Sequence, residues 1–356
     1  MQETFPVAIV GIEKTKPVQP LNEYAELKRR IKEKGLLNRQ QHYYFYKISG
    51  TLAALIVGLV VLFTFKNIWV QVIDAVYLAL VFAQIGFIGH DAGHRQIFAK
   101  AWKNELLGII FGNLLVGMCN TWWVEKHNEH HSHPNEIDMD PDLNIPFLCF
   151  TAEDAREKRG LARFIMRYQA YLFFPMLLFV ALDMSRVSVL YLLQERKQVK
   201  HFLVEFILIC AHLVIPVAVL IWQLGFWPAV LFLAINQGVL GLVLGSAFAP
   251  NHKGMPTLPS NSKLDFLRKQ VITARNIKAG WFPDFWYGGL NYQIEHHLFP
   301  SLPRNRLGQA QAIIKDYCAE RSIPFAETSI VGSYAAILQV LHEVSIEDKM
   351  ARSQSR

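Results

Sequence analysis

Charged residues are scarce in this chain of 356 residues. They make up 18% of it, against roughly 25% in soluble domains, whereas hydrophobic residues make up 52%. The length would allow two ordinary soluble domains, but this composition argues against them. We therefore expect a large part of the chain to lie in lipid.

Cysteine is also scarce, and the four cysteines lie far apart, without a C-x-x-C pair. This argues against a disulfide scaffold or a thiolate metal site and fits a reducing compartment. The first twenty residues contain acidic residues and prolines where a signal peptide needs an apolar core, so we expect no secretory signal. The net charge of +7 is not gathered into one domain or stripe, so we expect no nucleic-acid partner.

Four long apolar stretches predict spanning helices, each near the 20 residues that a bilayer requires. They cover about 45–65, 68–89, 202–222 and 228–249. The first 47 residues contain nine Lys or Arg, whereas the links within each pair of stretches are short. By the positive-inside rule, the N-terminal segment 1–44 is cytoplasmic and both links face outward.

Two further apolar stretches, about 105–124 and 168–193, are ambiguous. The second contains Asp183 and Arg186, which would be costly at the bilayer centre. The first separates two histidine motifs, which can serve one site only if the chain returns to the same membrane face. We interpret both stretches as interfacial, the first as an interfacial or shallow re-entrant helix.

The remaining segments complete a predicted membrane domain over 45–300. Basic residues followed by aromatics over 253–285 suit an interfacial anchor at the headgroups. Two amphipathic helices, about 304–321 and 328–344, predict a C-terminal cytoplasmic cap over 301–346. We expect the tail 347–356 to be disordered.

Histidines are concentrated in three motifs. HDAGH places two histidines four residues apart, and HNEHH and QIEHH share the pattern (H/Q)-x-x-H-H, so each set lies on one helix face. A further histidine follows the fourth apolar stretch in APNHKG. The candidate metal ligands are His90, His94, His127, His130, His131, His252, His296 and His297.

Imidazole sites without thiolates suit iron, zinc, copper or nickel. Eight histidines exceed the needs of one ion, so the count predicts a dinuclear centre. A catalytic zinc site uses three protein ligands, and haem needs only one histidine per face, so both fit less well. Carboxylates and amides beside the motifs are candidates to orient the rings: Asp91, three residues before His94, with Asn128 and Glu295. We expect the acidic run DMDPD at 138–142 to be a solvated loop. His133 lies outside the H-x-x-H-H spacing, and we expect it to support a ligand or to be solvated.

These motifs resemble a known family. HDAGH, WWVEKHNEHHSHPN and GGLNYQIEHHLFPSLPR are similar to the three histidine boxes of membrane fatty acid desaturases, and the resemblance runs from about residue 45 to 325. Gln293, which opens the third box, resembles the front-end desaturases and related bacterial acyl desaturases. The implied fold is an all-α integral membrane protein, with four transmembrane helices, interfacial helices and a cytoplasmic helical cap that holds a dinuclear metal site.

The resemblance also implies a chemistry. The eight histidines would ligate two irons, and Gln293 would contact a metal or a metal-bound water. The activity would be O2-dependent introduction of a cis double bond into a fatty acyl chain carried by CoA or a lipid. Many front-end enzymes carry a fused cytochrome b5 domain with an HPGG motif, which this sequence lacks. We therefore expect a separate electron donor, such as a ferredoxin or a reductase.

Two alternatives remain open at the level of sequence. A hydroxylase, ketolase or monooxygenase on the same di-iron scaffold would use the same boxes. A non-enzymatic membrane metal binder or transporter would place its ligands near the membrane midplane. The predicted position of the histidines at helix ends and in loops favours an enzyme with its site on the cytoplasmic face.

Overall fold

Helices account for almost all regular structure in the computed structural model, which describes residues 20–145, 147–260 and 262–354. The first part of the described chain forms α1 (Pro20–Glu33), α2 (Gln41–Thr64) and α3 (Ile68–Gly93). The middle contains α4 (Ala101–Ile109), a π-helix (Ile110–Val116), α5 (Asn120–Ser132), α6 (Ala152–Glu157), α7 (Gly160–Arg167), α8 (Gln169–Leu177) and α9 (Val180–Gln194). Then follow α10 (Phe202–Leu224), α11 (Phe226–Phe248), α12 (Phe266–Ile272), α13 (Trp281–Trp286), α14 (Gln293–Leu298), a 3-10 turn (Arg304–Arg306), α15 (Leu307–Glu320) and α16 (Ile330–Gln354).

Among the described residues, four helices are long and apolar enough to cross a membrane: α2, α3, α10 and α11. Each coincides with one apolar stretch of the sequence. In its most apolar window α3 is 61% buried and α11 is 50% buried, whereas α2 and α10 are each 17% buried. Helices α3 and α11 therefore form the centre of the bundle, packed against each other, and α2 and α10 flank them. The predicted all-α membrane fold is confirmed.

The flanking helices expose apolar side chains that would be unfavourable in water. Val60, Ile207 and Val214 are each at least half exposed on these helices. At the two short links, the tryptophans Trp69 and Trp222 are more than 70% exposed. Apolar flanks bounded by tryptophans match a surface that faces lipid, with the indole rings at the headgroup level.

Both ambiguous stretches form bent helix pairs. The chain turns by 109° between the segments Ala101–Val116 and Asn120–Ser132, and by 75° between α8 and α9. At the first bend, Gly117 has a φ of +79°, and a Cβ there would lie 2.4 Å from the ring of His212. Only glycine suits this position, because it adopts a positive φ without strain and has no Cβ to clash with His212. A bend of this size fits a broken span as well as a re-entrant loop, so the interpretation of 105–124 as a segment that returns to the same membrane face stays a prediction.

The C-terminal region packs beneath the bundle on the side of the histidines. Helix α15 contacts α1 and α14, and two short parallel strands, β1 (Asn276–Ile277) and β2 (Glu327–Thr328), join the segment before α14 to the segment before α16. The expectation of a disordered tail over 347–356 is not met for residues 347–354, because α16 continues to Gln354. Asp348 is buried there, with a carboxyl oxygen 3.8 Å from the Arg163 guanidinium of α7, and α16 packs against α6 and α7. Residues 355–356, like 1–19, lie outside the described residues.

Candidate metal centre

The first motif lies where α3 ends. His90 occupies the last turn of this helix, and His94 is the residue that follows it. The helix stops there because Arg95 adopts a left-handed conformation with a φ of +57°. The two imidazole centroids are 4.8 Å apart, as expected for residues one helical turn apart.

The second motif lies on the last two turns of α5. His127, His130 and His131 follow Trp123, whose indole stacks on the ring of His127 with the centroids 4.6 Å apart. His130 and His131 are buried. Because α5 begins immediately after the bend at Gly117, the bend sets the direction in which these rings point.

The third motif occupies α14, a helix of only six residues. It is too short to be stable alone, and the side chain of Asn276 in β1 holds it in place. The Asn276 Oδ1 accepts the Ile294 N–H at 2.9 Å, and its Nδ2 donates to Glu295 Oε2 at 2.6 Å. His296 and His297 are each 1% exposed.

These segments bring the predicted histidines into two adjoining groups. Within each group the possible ligand atoms lie within 4.8 Å of one another. The first group consists of His90, His94, His127 and His296, and the second of His130, His252 and His297. His252 follows α11, as the sequence predicted, and its Nε2 lies 3.0 Å from the Nε2 of His297.

The eighth histidine, His131, lies between the two groups. Its Nε2 is 3.1 Å from that of His127 and 3.0 Å from that of His296. Its ring stacks on the ring of His297 with the centroids 4.2 Å apart. All eight candidates therefore belong to one continuous cluster with two centres.

The outer nitrogens of several rings are held by acceptors. The Nδ1 of His130 lies 2.9 Å from Asp140 Oδ1, that of His252 3.0 Å from the Thr273 carbonyl oxygen, and that of His297 2.8 Å from Gln270 Oε1. An Nδ1–H donor in each case leaves the lone pair on Nε2, which points into the cluster. Metal-binding histidines commonly have this arrangement.

Buried imidazoles are also kept in the form that binds metals. Burial and the neighbouring imidazoles lower the pKa of His296 and His297 well below the usual range, and burial lowers the pKa of His252 to about 3. The Nε2 of His90 is buried without a hydrogen-bond partner. Neutral rings with lone pairs directed at common points fit two metal ions, and this fit is the reason to regard the cluster as a metal centre.

The residues expected to orient the rings behave differently from one another. Asp91 lies beside His90, with an oxygen 3.5 Å from its Nδ1, and not beside His94; it also pairs at 2.7 Å with the buried Arg304. Asn128 is exposed, and among the described contacts its side chain touches no histidine. Glu295 is buried but bonds to Asn276, and burial raises its pKa to about 8.

Gln293 is buried at the second group. Its side-chain nitrogen lies 2.9 Å from the Nε2 of His252, and its oxygen accepts from Asn251 Nδ2 at 3.1 Å. It therefore stands close enough to contact a metal or a metal-bound water beside His252. His133 lies outside both groups and pairs with Glu136 at 3.1 Å.

Sequence reasoning missed three residues that hold the rings: Asp140, Gln270 and Thr273. The acidic run at 138–142 is not simply a solvated loop, because Asp140 is buried and also accepts the Asn135 N–H at 2.8 Å. Asp142 forms an ion pair with Lys126, whose ammonium donates to the carboxylate. The one available signal was the proximity of this acidic run to HNEHH. Gln270 and Thr273 carry no such signal, since they are distant in sequence from the histidines that they contact.

A narrow apolar cavity reaches the cluster from within the bundle. His90 forms one wall, and the other walls come from α3, α11, the bend after the π-helix and α9. Its lining includes Trp123, Met184, Leu244 and Phe248. An apolar group in this cavity would lie against the first group of imidazoles.

Helices long and apolar enough to cross a membrane, with a histidine cluster at their ends that could hold metal ions, are typical of a membrane metalloprotein. Comparisons with known proteins identify the family. A model of the fatty acid desaturase family matches residues 67–329. The chain therefore belongs to the fatty acid desaturase family. The match includes all eight histidines.

Individual relatives are similar over nearly the whole chain. An acyl-lipid (9-3)-desaturase of Physcomitrium patens is 29% identical over 346 residues, which cover 95% of this chain and 65% of the moss protein. The Delta(6)-fatty-acid desaturase fat-3 of Caenorhabditis elegans is 29% identical over 337 residues, covering 91% of this chain and 75% of the relative. The Delta(5) fatty acid desaturase fat-4 of the same nematode is 25% identical over 353 residues, covering 96% and 78%.

Proposed function

We propose that this protein is an O2-dependent fatty acyl desaturase that forms a cis double bond at two irons held by its histidine cluster. The observation that supports this best is the arrangement of seven histidines in two adjoining groups, with His131 between them, beside an apolar cavity. Membership of the desaturase family supports the reaction.

The ligands of the first iron would be His90, His94, His127 and His296, and those of the second His130, His252 and His297. His131 would lie between them, and Gln293 would contact the second iron or a water bound to it. Imidazole ligands suit iron. When bound, two irons would supply the oxidation. O2 takes up two electrons and two protons from outside and one hydrogen atom from each of two adjacent methylene groups, which yields two waters and the double bond.

The protein's own groups set the conditions for this chemistry. Asp140, Thr273 and Gln270 hold the rings of the second group in one orientation. The cavity beside His90 has room for about one water-sized group, so its walls would have to move apart to admit a stretch of the acyl chain, and they would then exclude water from the reacting methylenes. Apart from His90 and Trp123 its lining is apolar, so the position of the chain would depend mainly on shape and on contacts at its polar end.

The substrate carrier, electron donor and orientation extend this proposal. We infer a fatty acyl substrate linked to CoA or a lipid, a separate ferredoxin or reductase as donor, and a metal centre on the cytoplasmic face. The third box with Gln293, and relatives described as Delta(6) and Delta(5) desaturases, support a front-end preference. The division into an N-terminal segment to residue 44, a membrane domain to 300 and a C-terminal cap is part of the same proposal.

A host without desaturases of its own provides the test. The chain is expressed with an electron donor, and its fatty acid profile is compared with those of His131→Ala and His133→Ala. We expect a new unsaturated species and bound iron in the wild type, loss of both in His131→Ala, and retention of both in His133→Ala, because His133 lies outside the two groups.

Other outcomes would change the assignment. A hydroxylated or keto product would indicate the oxygenase alternative. Iron bound without any product, with a donor shown to be competent, would contradict an ordinary acyl substrate. Loss of product in His133→Ala as well as in His131→Ala would show that the assay reports folding and not the cluster.

A further inference from the structure

Helix α10 carries a buried acid near its start, in a segment that we assign to the membrane. Glu205 is 0% exposed. An ionisable side chain within a spanning helix is unfavourable unless partners compensate it, and such a residue usually has a function. Glu205 belongs to none of the groups of possible metal ligands among the described residues, so its role must be sought in its contacts.

The carboxyl oxygens of Glu205 accept four hydrogen bonds. The donors are the Thr121 hydroxyl at 2.5 Å, the Thr121 N–H at 3.2 Å, the Cys119 thiol at 3.2 Å and the Asn113 side-chain amide at 3.0 Å. Three of the four come from residues 119 and 121, which stand at the start of α5. Glu205 therefore joins a spanning helix to the helix that carries the second histidine motif.

Helix α5 has no cap of its own. The residue at its N-cap position is Cys119, whose side chain makes no capping hydrogen bond. The first N–H groups of a helix lack partners within the helix, and water is not available to them inside a bilayer. Uncapped, this helix start would be unfavourable at the bottom of the bend.

Side chains from three other elements supply the missing acceptors. The Cys119 N–H donates to Ser188 Oγ of α9 at 2.9 Å, and the Asn120 N–H donates to Asn113 Oδ1 of the π-helix at 3.1 Å. The Thr121 N–H donates to Glu205 of α10. Negative charge also favours the N-terminal end of a helix, so Glu205 is the strongest of the three caps.

This cap is connected to the metal centre by a single rigid helix. At 1.5 Å per residue, His127 lies roughly 9 Å and His131 roughly 15 Å along the axis from Thr121. At the other end, the His131 carbonyl oxygen accepts from Gln270 Nε2 at 2.9 Å. A helix fixed at both ends cannot tilt or slide, so the position of its start determines where its histidines point.

We propose that Glu205 is a positioning residue for the metal centre, which it serves by anchoring the start of α5 from within the membrane. The proposal rests on the function proposed above, since the histidines matter only if they bind metal. It predicts that loss of the anchor lowers the metal affinity of protein that is still folded.

The test uses the full chain in lipid nanodiscs, with ferrous iron as the probe. Iron bound per folded protein is titrated for the wild type and Glu205→Ala, and amide hydrogen exchange of the peptide covering residues 119–126 is measured on the metal-free proteins. We expect the iron affinity of Glu205→Ala to fall about tenfold, as for other residues that orient metal ligands. Amide exchange in this peptide should become faster. Glu205→Gln, which retains one acceptor oxygen at the same reach, should recover part of the affinity.

A buried acid elsewhere in the bundle provides the matched control. Asp74 is 3% exposed in the spanning helix α3, sixteen residues before His90 and thus roughly 24 Å from it along the helix. Asp74→Asn should leave iron affinity unchanged. An equal loss in both variants would show a general effect on stability and overturn the proposal.

A second substitution covers the case in which Glu205→Ala does not fold. Thr121→Ala removes the hydroxyl bond to Glu205 while raising helix propensity, so a purely structural role predicts no loss of iron. We expect about threefold weaker binding, about 0.7 kcal/mol; wild-type affinity in this variant would contradict the proposal. Wild-type protein that binds no iron and forms no product would instead contradict the proposed function itself.

Discussion

At the scale of single residues, Asp140 illustrates how the cluster keeps its geometry. One of its oxygens accepts from the His130 ring and the other from the Asn135 backbone N–H. The same loop is tied to the segment after α11, because Asn135 Nδ2 donates to the His252 carbonyl oxygen at 2.9 Å. One buried carboxylate thus fixes the ring of one histidine and, through Asn135, the backbone of another.

Replacing Asp140 should therefore weaken metal binding. In Asp140→Asn the acceptor for His130 becomes an amide that no longer carries charge, and we expect 10- to 100-fold weaker iron binding. Iron titration of purified protein measures the effect. Asp138→Asn is the control, because Asp138 is exposed and has a φ of +63°, a conformation that asparagine tolerates. Comparable losses in the two variants would mean that the charge of the whole loop matters, and not the contact with His130.

The residue scale also shows what a sequence can reveal. Histidines three and four residues apart share a helix face by geometry alone, so the members of the cluster were predictable. Their supports were not, because a ring can meet any acceptor that the fold brings near. Gln270 lies 27 residues from His297 in sequence, and Asp91 contacts the ring next to it although spacing suggested His94.

At the scale of elements, α3 and α11 pack against each other and both line the cavity beside His90. Their closest approach near the cavity involves Gly86, where an added Cβ would lie 3.7 Å from Leu244 Cδ2 and 3.9 Å from Val116 Cγ2. These are ordinary van der Waals distances, so a methyl group fits without displacing either helix. It would project into the cavity beside His90.

A single methyl at this position should change substrate preference without changing the fold. For Gly86→Ala we expect wild-type iron content and a severalfold lower turnover of the longest acyl chains relative to shorter ones, because the proposed channel becomes narrower. Product profiles from a mixture of acyl chain lengths measure this ratio. Gly50→Ala is the control, since Gly50 in α2 has open space around its Cβ position. An unchanged profile in Gly86→Ala would show that the acyl chain does not pass this cavity.

The bounds of a helix could be predicted where the residues of the helix itself determine them, and not where distant residues do. The spanning helices were predictable because twenty apolar residues in a row can hardly form anything else in a lipid protein. The end of α16 was not, because residues 345–354 are mostly polar and the sequence does not show that α16 packs against α6 and α7. The segments 110–132 likewise depend on Ser188 and Glu205, which lie far along the chain.

At the scale of the whole molecule, two helical hairpins determine where the histidines lie. The end of α10 lies beside the end of α2, because Gln223 Nε2 donates to the Leu62 and Phe63 carbonyl oxygens. The end of α3, the start of α10 and the end of α11 are therefore on the opposite side from the link between α2 and α3. His90 and His94 lie at the end of α3, and His252 follows the end of α11, so these histidines share one side of the bundle. The hairpins thus determine at which end of the helices the histidines lie. Which membrane face this end occupies in a cell is inferred from the distribution of Lys and Arg.

Cysteine labelling in intact cells tests this orientation. Lys66, in the link after α2, and Lys197, before α10, are both exposed lysines on opposite sides of the bundle. In a background with Cys210→Ala, which removes the exposed native cysteine, a membrane-impermeant maleimide should label Lys66→Cys in intact cells and Lys197→Cys only after permeabilisation. The reverse pattern would place the metal centre outside and contradict a cytoplasmic electron donor. Labelling of both in intact cells would contradict the hairpin arrangement, because the two positions would then share one membrane face.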